Sequence, residues 1–470
     1  MTPVPFRRPV VRRSLVRAAL VALALLARAD LSAQSDLRAT LDSLARSHVA
    51  QSLVPGVSVA VVHRGDTLLL GGYGSADIEW DVPTPADGDA VYQIGSVTKQ
   101  FTAAALLLLV ERGEVDLDAD VREYLPDYDT QGRSIPLRRL LDHTSGIKGY
   151  TEMPVLGRII TQDLPRDTLV ALFEAEPFEF EPGAALIYNN SAYFLVGLII
   201  EKVSGTSYED FVARHFFEPL GMTRSSYCDE AAVISRRAHG YDTGPSGLRL
   251  KGYLDHQWPY AAGSLCSTVG DLVRWNQALH GGRVLQPESY RAMTTPMPLT
   301  DGAPVRYAMG LQVDERGGHR MIAHGGGING FLSDGRYFPD DDLLVVVLQN
   351  SAGPAGPAAL SLALVDAVLG PPPALPARTY AGDLSLFAGR YRGPARGATL
   401  TLDVSAVDGA LSIRPDGSSA PPQALAWRDG LTWTVGATRV VFERGEAGVE
   451  RLRFDQGSGH YVLERVANSR

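Results

Sequence analysis

Strand-like segments lie at both ends of the region from residue 56 to residue 350, and helical patterns fill its middle. The run GVSVAVVHRGDTLLLGGYG contains two apolar stretches joined at Arg64-Gly65-Asp66, as in a β-hairpin. Between residues 115 and 295, apolar residues recur at helical spacing. Strand patterns then return over Tyr307–Val313, Arg320–His324, Phe331–Phe338 and Leu343–Gln349. This order predicts an α+β fold, in which an antiparallel sheet from both chain ends is flanked by helices and a helical subdomain is inserted.

Three helices are predicted with defined ends. The first covers Asp36–Val49, and the second covers Thr98–Val110 and is ended by Gly113. A third begins after Thr268, a capping residue that is followed three positions later by Asp271. The second helix matters most, because the polar residues just before it belong to a candidate site.

A proline-rich segment, GPPPALPARTYAGD at residues 370–383, interrupts the regular patterns. Such a segment is stiff and cannot join a sheet interior, so it predicts a linker between a domain of residues 34–369 and a domain of residues 384–470. After the linker, residues alternate with period two around turns at Asp408-Gly409 and Arg428-Asp429-Gly430. The last domain is therefore predicted to be a small all-β, barrel-like meander.

The first 33 residues have the pattern of a secretory signal peptide. Five arginines precede an apolar run from Ala18 to Ala27, and small residues end the segment at Ala33. The alternative is a membrane anchor, but the run is about half of the roughly 20 residues that span a bilayer. We therefore expect export to the periplasm or medium, with no stable membrane span after cleavage.

The chain carries a formal net charge of −9, and loss of residues 1–33 removes six arginines and one aspartate. An acidic protein of this kind is a poor partner for nucleic acid. The chain has two cysteines, Cys228 and Cys266. In an oxidising compartment they either pair or remain as small buried apolar residues, and the sequence leaves both options open.

The stretch YQIGSVTKQFT places Ser96 three residues before Lys99 at the start of the second predicted helix. At this spacing the two side chains lie on one face, one turn apart, and can meet. A lysine against an apolar helix face is partly desolvated, which lowers its pKa and allows it to accept a proton. The alternative for the pair alone is an N-cap serine and a surface lysine.

Two further polar clusters give the pair a context. Tyr188-Asn189-Asn190 precedes a helix, and His324-Gly325-Gly326-Gly327 lies at a strand. With these three motifs in this order, residues 38–365 resemble the β-lactamase-related serine hydrolases, the family of class C β-lactamases, serine D-alanyl-D-alanine peptidases and related esterases. Ser96-Val-Thr-Lys99 matches the nucleophile motif of that family, and Tyr188-Asn-Asn190 matches its Tyr-x-Asn element. The terminal β domain resembles the lipocalin-like modules appended to some members.

The resemblance implies a role for each matched residue. Ser96 would be the acylated nucleophile, Lys99 its proton partner, and Tyr188 a base and then an acid, with a phenol pKa lowered by nearby Lys99. Asn190 would orient Lys99 and the substrate amide, and Gly326 and Gly327 would belong to the strand that lines the site. Backbone N–H groups of Ser96 and Gly327 would form the oxyanion hole. Whether Lys99 or Tyr188 takes the first proton stays open.

The function implied is that of an exported serine hydrolase acting on an ester, a peptide or a β-lactam-type amide. The alternative is a penicillin-binding or sensor protein that acylates without turnover. His324 stands where many members carry the lysine of Lys-Thr-Gly, and an imidazole is largely neutral at pH 7. We therefore expect weak β-lactamase activity, and a preference for carboxylate substrates that grows as the pH falls and His324 becomes charged.

Two other motifs in the same segment are rejected. HGGG is an oxyanion signature of lipases, but no Gly-x-Ser-x-Gly elbow follows it here. Gly325-x-Gly327-x-x-Gly330 has the spacing of a dinucleotide fingerprint but precedes a strand pattern instead of a helix. The histidines show no zinc-ligand spacing. We therefore predict no metal or cofactor, and a small molecule or peptide as the substrate. The sequence leaves the oligomeric state open.

Overall fold

The computed structural model describes residues 34–51, 53–376, 378–446 and 448–466. The predicted signal peptide, residues 1–33, lies outside them. Thirteen strands precede the linker: β1 Gly56–His63, β2 Asp66–Asp77, β3 Val82–Pro83, β4 Tyr92–Gln93, β5 Leu186–Ile187, β6 Ser226–Tyr227, β7 Tyr241–Gly244, β8 Gly247–Leu250, β9 Leu265–Ser267, β10 Gln312–Arg316, β11 His319–Ile328, β12 Phe331–Phe338 and β13 Leu343–Gln349.

The helices of the same region are α1 34–49, α2 Thr98–Glu111, α3 Leu137–Leu141, α4 Leu156–Ile159, α5 Arg166–Glu174, α6 Asn190–Ser204, α7 Tyr208–Val212, α8 Glu218–Leu220, α9 Tyr260–Gly263, α10 Val269–His280, α11 Pro287–Thr294 and α12 Pro357–Leu369. A π-helical turn, Ala213–Phe217, joins α7 to α8. Short 3-10 turns lie at Gly95–Val97, Val121–Glu123, Tyr150–Glu152 and Leu384–Phe387. Among the described residues, the helices are all too short or too polar to cross a membrane.

The main sheet is antiparallel and has the order β10-β11-β12-β13-β1-β2-β3. Strand β1, from the start of the domain, pairs with β13, from its end, in the register Val57 to Gln349 through His63 to Leu343. The sheet is thus built from both chain ends with the helices inserted between them, and the predicted α+β fold class is confirmed. The β1–β2 turn lies at Arg64 and Gly65, which both have positive φ, as a two-residue hairpin requires.

Alternation along β1 assigns its side chains to two cores. Val57, Val59 and Val61 pack with α1 and α12 on one face of the sheet, while Ala60 and Val62 face the helical region. Most of α2 is buried, which explains a helix that is apolar on nearly all sides. The Thr268 side chain accepts a hydrogen bond from the Asp271 N–H, as predicted for the cap of α10.

Two predicted strands have wrong bounds. The one predicted at Arg320–His324 is part of β11, which continues to Ile328, and the other is displaced along the chain. The sequence pattern placed the displaced strand at Tyr307–Val313, but it begins at Gln312 and ends at Arg316. Gly310 explains the difference, because its φ of +74° interrupts the extended chain and a Cβ there would lie 2.7 Å from the Lys99 carbonyl oxygen. Tyr307 is therefore free to pack against the candidate site instead of pairing in a sheet.

Eight strands form a closed barrel after the linker, because the first strand also pairs with the last. The strands are β14 Gly389–Ala395, β15 Ala398–Val407, β16 Ala410–Pro415, β17 Gln423–Asp429, β18 Thr432–Val435, β19 Thr438–Gly445, β20 Gly448–Asp455 and β21 Gly459–Val466. The barrel is docked on the first domain, since β21 pairs with β5 at Gly459–Ile187 and His460–Leu186. This pairing ends one residue before Tyr188.

Candidate active site

Ser96 lies in the 3-10 turn Gly95–Val97, which runs directly into α2. Gly95 has a φ of +52°, a left-handed conformation that favours glycine. A Cβ on Gly95 would lie only 2.8 Å from the Gly327 nitrogen, so this turn and β11 approach too closely for a side chain between them. The turn therefore holds Ser96 beside the backbone of β11.

Lys99 is fully buried on the first turn of α2. Its Nζ lies 3.3 Å from Ser96 Oγ, 2.6 Å from Asn190 Oδ1 and 2.8 Å from the Ala262 carbonyl oxygen. Burial, and to a lesser extent the charge of Arg396, holds the pKa of Lys99 well below its usual value. A neutral amine has two N–H donors and one lone pair. In that deprotonated form, Asn190 and Ala262 would take the two donors, and the lone pair would be left for the Ser96 hydroxyl.

Tyr188 is buried beside Lys99, whose Nζ lies 4.7 Å from the centre of the phenol ring. Its hydroxyl has no hydrogen-bond partner among the described residues, although Ser96 is close enough to oppose part of the pKa shift. The expectation of a lowered phenol pKa was wrong. Burial raises the pKa of Tyr188 and outweighs the opposing effects of the nearby Ser96 hydroxyl and of the Arg396 charge. Tyr188 is therefore protonated at neutral pH.

The two asparagines of the second motif have different positions. Asn189 caps α6, because its Oδ1 accepts from the Ala192 N–H and its Nδ2 donates to the Ile147 carbonyl. Asn190 is the first residue of α6; its Oδ1 accepts from Lys99 and its Nδ2 donates to Thr151 Oγ1 at 3.1 Å. The helix start thus fixes the amide that holds Lys99.

The third motif lies on β11, next to the Ser96 turn. A Cβ on Gly326 would lie 2.1 Å from the Ile94 carbonyl oxygen, so only glycine fits there. Gly327 lines the same cavity as Ser96. His324 Nδ1 donates to the Gly325 carbonyl and Nε2 accepts from the Tyr307 hydroxyl, at 2.6 and 2.8 Å. His324 therefore lies behind the cavity wall, with both ring nitrogens used within the protein.

The prediction that His324 becomes charged as the pH falls from 8 to 5 was wrong, because the side chain is buried. Its side chain is buried and faces Lys99, and burial lowers the pKa of His324 to about 3. Desolvation disfavours the imidazolium, and the neighbouring amine disfavours it further. His324 therefore stays neutral from pH 5 to 8, and a carboxylate preference that depends on its charge is not expected.

A cavity of about 200 Å³ opens beside Ser96. Ser96, Asn190 and Gly327 line part of the cavity, and much of the remaining lining is apolar: Tyr150, Leu156, Ile160, Leu254, Trp258 and Ile328. Pockets for drug-sized ligands are generally about 300 Å³ or larger. The size and lining therefore suit a single apolar side chain of a substrate.

Sequence reasoning missed two residues that the structure brings to this site. His143 is buried with its ring centre 4.3 Å from that of Tyr188, and its Nδ1 accepts from the Asn189 N–H. Arg396, from the barrel, has its guanidinium carbon 5.0 Å from the Tyr188 ring centre. The polar run around His143 was a usable signal, but nothing local marks Arg396.

Two other features lie apart from the Ser96 cavity. Cys228 and Cys266 form a disulfide, with Cys266 in the short strand β9 instead of in a helix. Asp77, Glu79 and His239 bring ligand atoms within 4.8 Å of one another at the surface, which makes them the candidate cation ligands of the described region. Asp77 and Glu79 already accept hydrogen bonds, from the Trp80 N–H and the Tyr241 hydroxyl.

Comparison with known proteins decides the family. Residues 41–369 match the family model described as Beta-lactamase. The chain belongs to the Beta-lactamase family. A D-aminopeptidase of Brucella canis is 30% identical over 356 residues, which are 74% of this chain and 66% of the relative. The chain thus spans just under two thirds of that relative's length.

Two solved structures extend the comparison. A D-amino acid amidase from Ochrobactrum anthropi SV3, complexed with L-phenylalanine amide, has a TM-score of 0.62 at 28% identity, covering 71% of this chain and 99% of that one. An octameric penicillin-binding protein homologue from Pyrococcus abyssi has a TM-score of 0.62 at 26% identity, covering 90% of this chain and 99% of that one. The predicted resemblance is confirmed at the level of the family, because residues 41–369 match the Beta-lactamase model.

Proposed function

We propose that this chain is an exported hydrolase that cleaves the amide bond of a D-amino-acid amide or short D-aminoacyl peptide through a Ser96 acyl-enzyme. The observation that carries the proposal is the environment of Lys99. Its amine contacts only neutral acceptors, and two of them take its N–H donors. The lone pair left over is 3.3 Å from the Ser96 hydroxyl.

This geometry supports Lys99 as the first base. Its lone pair takes the Ser96 proton as Oγ bonds to the substrate carbonyl carbon, and the oxyanion is held by the backbone N–H groups of Ser96 and Gly327. Tyr188, protonated because it is buried, cannot be that base. As the C–N bond breaks, the proton on Lys99 reaches the leaving nitrogen through the Tyr188 hydroxyl, which gives one proton and receives one. Water then takes the place of the leaving nitrogen. It gives a proton through the Tyr188 hydroxyl to Lys99 as its oxygen bonds to the carbonyl carbon, and Lys99 returns the proton to Ser96 Oγ as the ester bond breaks.

The substrate class is supported by the names of the relatives and by the cavity. A D-aminopeptidase and a D-amino acid amidase both match most of this chain. The apolar wall beside Ser96, with Trp258 and Ile328, would take the side chain of the acyl residue. Export is supported by the pattern of residues 1–33 and by the Cys228–Cys266 disulfide, which suits an oxidising compartment.

The test compares D-phenylalanine amide with L-phenylalanine amide on the mature chain. We expect many turnovers of the D-amide, a lower kcat/KM for the L-amide, and no turnover by Ser96→Ala. Release of one equivalent of ammonia per chain, followed by a halt, would instead indicate an acylating sensor. Equal rates for the two amides would contradict the D-amino-acid assignment. N-terminal mass analysis of the secreted chain tests export, with the expected start at Gln34.

A further inference from the structure

The hairpin tip between β14 and β15 brings the barrel into the active site. Arg396 and Gly397 form this two-residue tip. A Cβ on Gly397 would lie 2.8 Å from a Glu152 side-chain carbon, so the tip lies directly against the turn Tyr150–Glu152. Two residues of that turn, Tyr150 and Thr151, line the cavity beside Ser96. The barrel therefore contacts the wall of the catalytic cavity.

Arg396 has donors to spare at this position. Its Nε donates to Glu152 Oε1 at 2.6 Å, whereas its Nη groups have no acceptor within the described part of the chain. An arginine has five N–H donors in a planar fork, so four remain available. The side chain is 43% exposed, and its guanidinium carbon is 5.0 Å from the Tyr188 ring centre. Free donors thus stand beside a tyrosine whose own hydroxyl is unpartnered.

The docking of the barrel holds Arg396 in place. Strand β21 pairs with β5 up to Ile187, the residue before Tyr188. Arg306 on the catalytic side donates to Asp455 in β20 at 2.8 Å, and both side chains are buried. Because β5 is paired with the barrel and ends one residue before Tyr188, strand pairing links Tyr188 to the domain that carries Arg396.

The two sides of the nucleophile differ in chemistry. The apolar cavity, on the side of Asn190 and Trp258, suits the acyl residue. The leaving group must lie near the group that returns its proton, which is the Tyr188 hydroxyl. We propose that Arg396 binds a carboxylate carried by the leaving group, so that the substrate is a short peptide ending in a free carboxylate and not a simple amide. This inference rests on the proposed function and refines its substrate.

The Glu152 partner does not exclude a second carboxylate on Arg396. Arg453 of the same barrel binds two carboxylates at once, Glu443 through Nε and Asp301 through Nη2. Arg396 has its Nε occupied in the same way and its Nη groups open. Charge-assisted bonds from guanidinium to carboxylate are short, directional and stronger than neutral ones. A terminal carboxylate of the substrate would complete the same arrangement.

The test uses competition against hydrolysis of p-nitrophenyl acetate, which reports on Ser96 independently of the natural substrate. D-Phe-D-Ala and its C-terminal amide serve as matched competitors. In the wild type we expect the carboxylate form to compete at least about 10-fold better, as expected for one charge-assisted contact. Arg396→Gln should remove this difference and Arg396→Lys should retain part of it. Arg390→Gln, on β14 and paired with Asp403, is the control that should change nothing.

A second readout separates binding from a structural role. The charge of Arg396 helps to lower the pKa of Lys99, so its removal should move the acidic limb of the esterase pH profile to higher pH. The inference would be overturned if Arg396→Gln kept the wild-type difference between the two competitors, or if it weakened both competitors equally. It would also be overturned if neither competitor inhibited hydrolysis of the ester. Failure of the proposed function would be seen separately, as absent D-amide turnover by an enzyme that still hydrolyses the ester.

Discussion

At the scale of single residues, the site depends on a lysine whose pKa is lowered by burial. Lys99 is surrounded by α2, α6 and the Ala262 carbonyl, and its acceptors carry no charge. Because the folded pKa lies below the usual lysine value, the basic form is present at pH values above that folded pKa and is lost as the pH falls through it. Activity should therefore fall on the acid side.

We expect Lys99→Met to lower kcat/KM by about 10²- to 10⁴-fold, the usual worth of a positioned base. Lys202→Met is the control, because Lys202 is exposed on α6 and should change kcat/KM less than twofold. Steady-state kinetics on p-nitrophenyl acetate at pH 8 measure both. Retention of wild-type kcat/KM by Lys99→Met would show that another group takes the proton.

His324 leads to a second prediction at this scale. With a pKa of about 3, it does not titrate between pH 5 and 8. The ratio of kcat/KM for D-Phe-D-Ala to that for its amide should therefore be constant over this range, since the ionisation of Lys99 affects both substrates equally. A ratio that rises severalfold as the pH falls to 5 would mean that His324 becomes charged and binds the carboxylate.

The residues of the site differ in how far the sequence could predict them. The pair Ser96 and Lys99 is local, because one helical turn joins them, and the expected contact forms at 3.3 Å. Arg396 lies 208 positions beyond Tyr188, and only the docking of the barrel joins them. The pKa of Tyr188 was mispredicted because burial, which requires the complete fold, outweighs the charge of a neighbour.

At the scale of elements, the strand β11 and the Ser96 turn form one close-packed unit. The Gly326 backbone lies against the Ile94 carbonyl oxygen, and Ser333 Oγ on β12 donates to that same oxygen at 2.8 Å. The backbone N–H groups of Ser96 and Gly327, which we propose as oxyanion donors, come from the two partners of this contact. Their separation is therefore set by the absence of a side chain at position 326.

We predict that Gly326→Ala destabilises the protein by about 1–3 kcal/mol, the usual cost of overpacking, and lowers kcat/KM by moving β11 away from Ser96. Gly325→Ala is the matched control, because its Cβ would meet only atoms at 3.5 Å or more. Urea unfolding and esterase kinetics measure the two effects. The prediction fails if both variants lose equal stability, or if Gly326→Ala keeps full activity.

The strands show where the periodicity of the sequence is enough to predict the bounds of an element. Phe331–Phe338 and Leu343–Gln349 have the predicted bounds, because their apolar runs are limited by turn residues on both sides. The strand expected at Tyr307–Val313 was displaced by the left-handed Gly310, whose conformation follows from a close approach to α2. Ribbon β7–β8 and the short strands β6 and β9 also lay in a region predicted as helical, because short strands carry little periodic signal.

At the scale of the whole molecule, the barrel is fixed to the catalytic region by buried ion pairs as well as by strand pairing. Arg306 donates to Asp314 on its own side and to the Asp455 carboxylate and carbonyl on the barrel. Asp455 is itself buried and also accepts from the Gly457 N–H. Removing Arg306 would leave this carboxylate without its cation.

We expect Arg306→Met to cost about 3–5 kcal/mol, because a buried charge left uncompensated is strongly destabilising. Arg451→Met removes an exposed pair with Glu464 and should cost at most about 1 kcal/mol. Urea unfolding followed by tryptophan fluorescence measures both. Equal costs for the two variants would contradict the assigned role of Arg306 at the interface.

The most direct test of the whole account is covalent labelling of Ser96. A reactive fluorophosphonate should add once to the wild-type chain, on the peptide that contains Ser96, because Lys99 holds a lone pair 3.3 Å from that hydroxyl. Intact mass and peptide mapping are the measurement. The account predicts a single adduct in the wild type and none in Ser96→Ala. An adduct on Ser96→Ala, or a wild-type adduct on another residue, would contradict it.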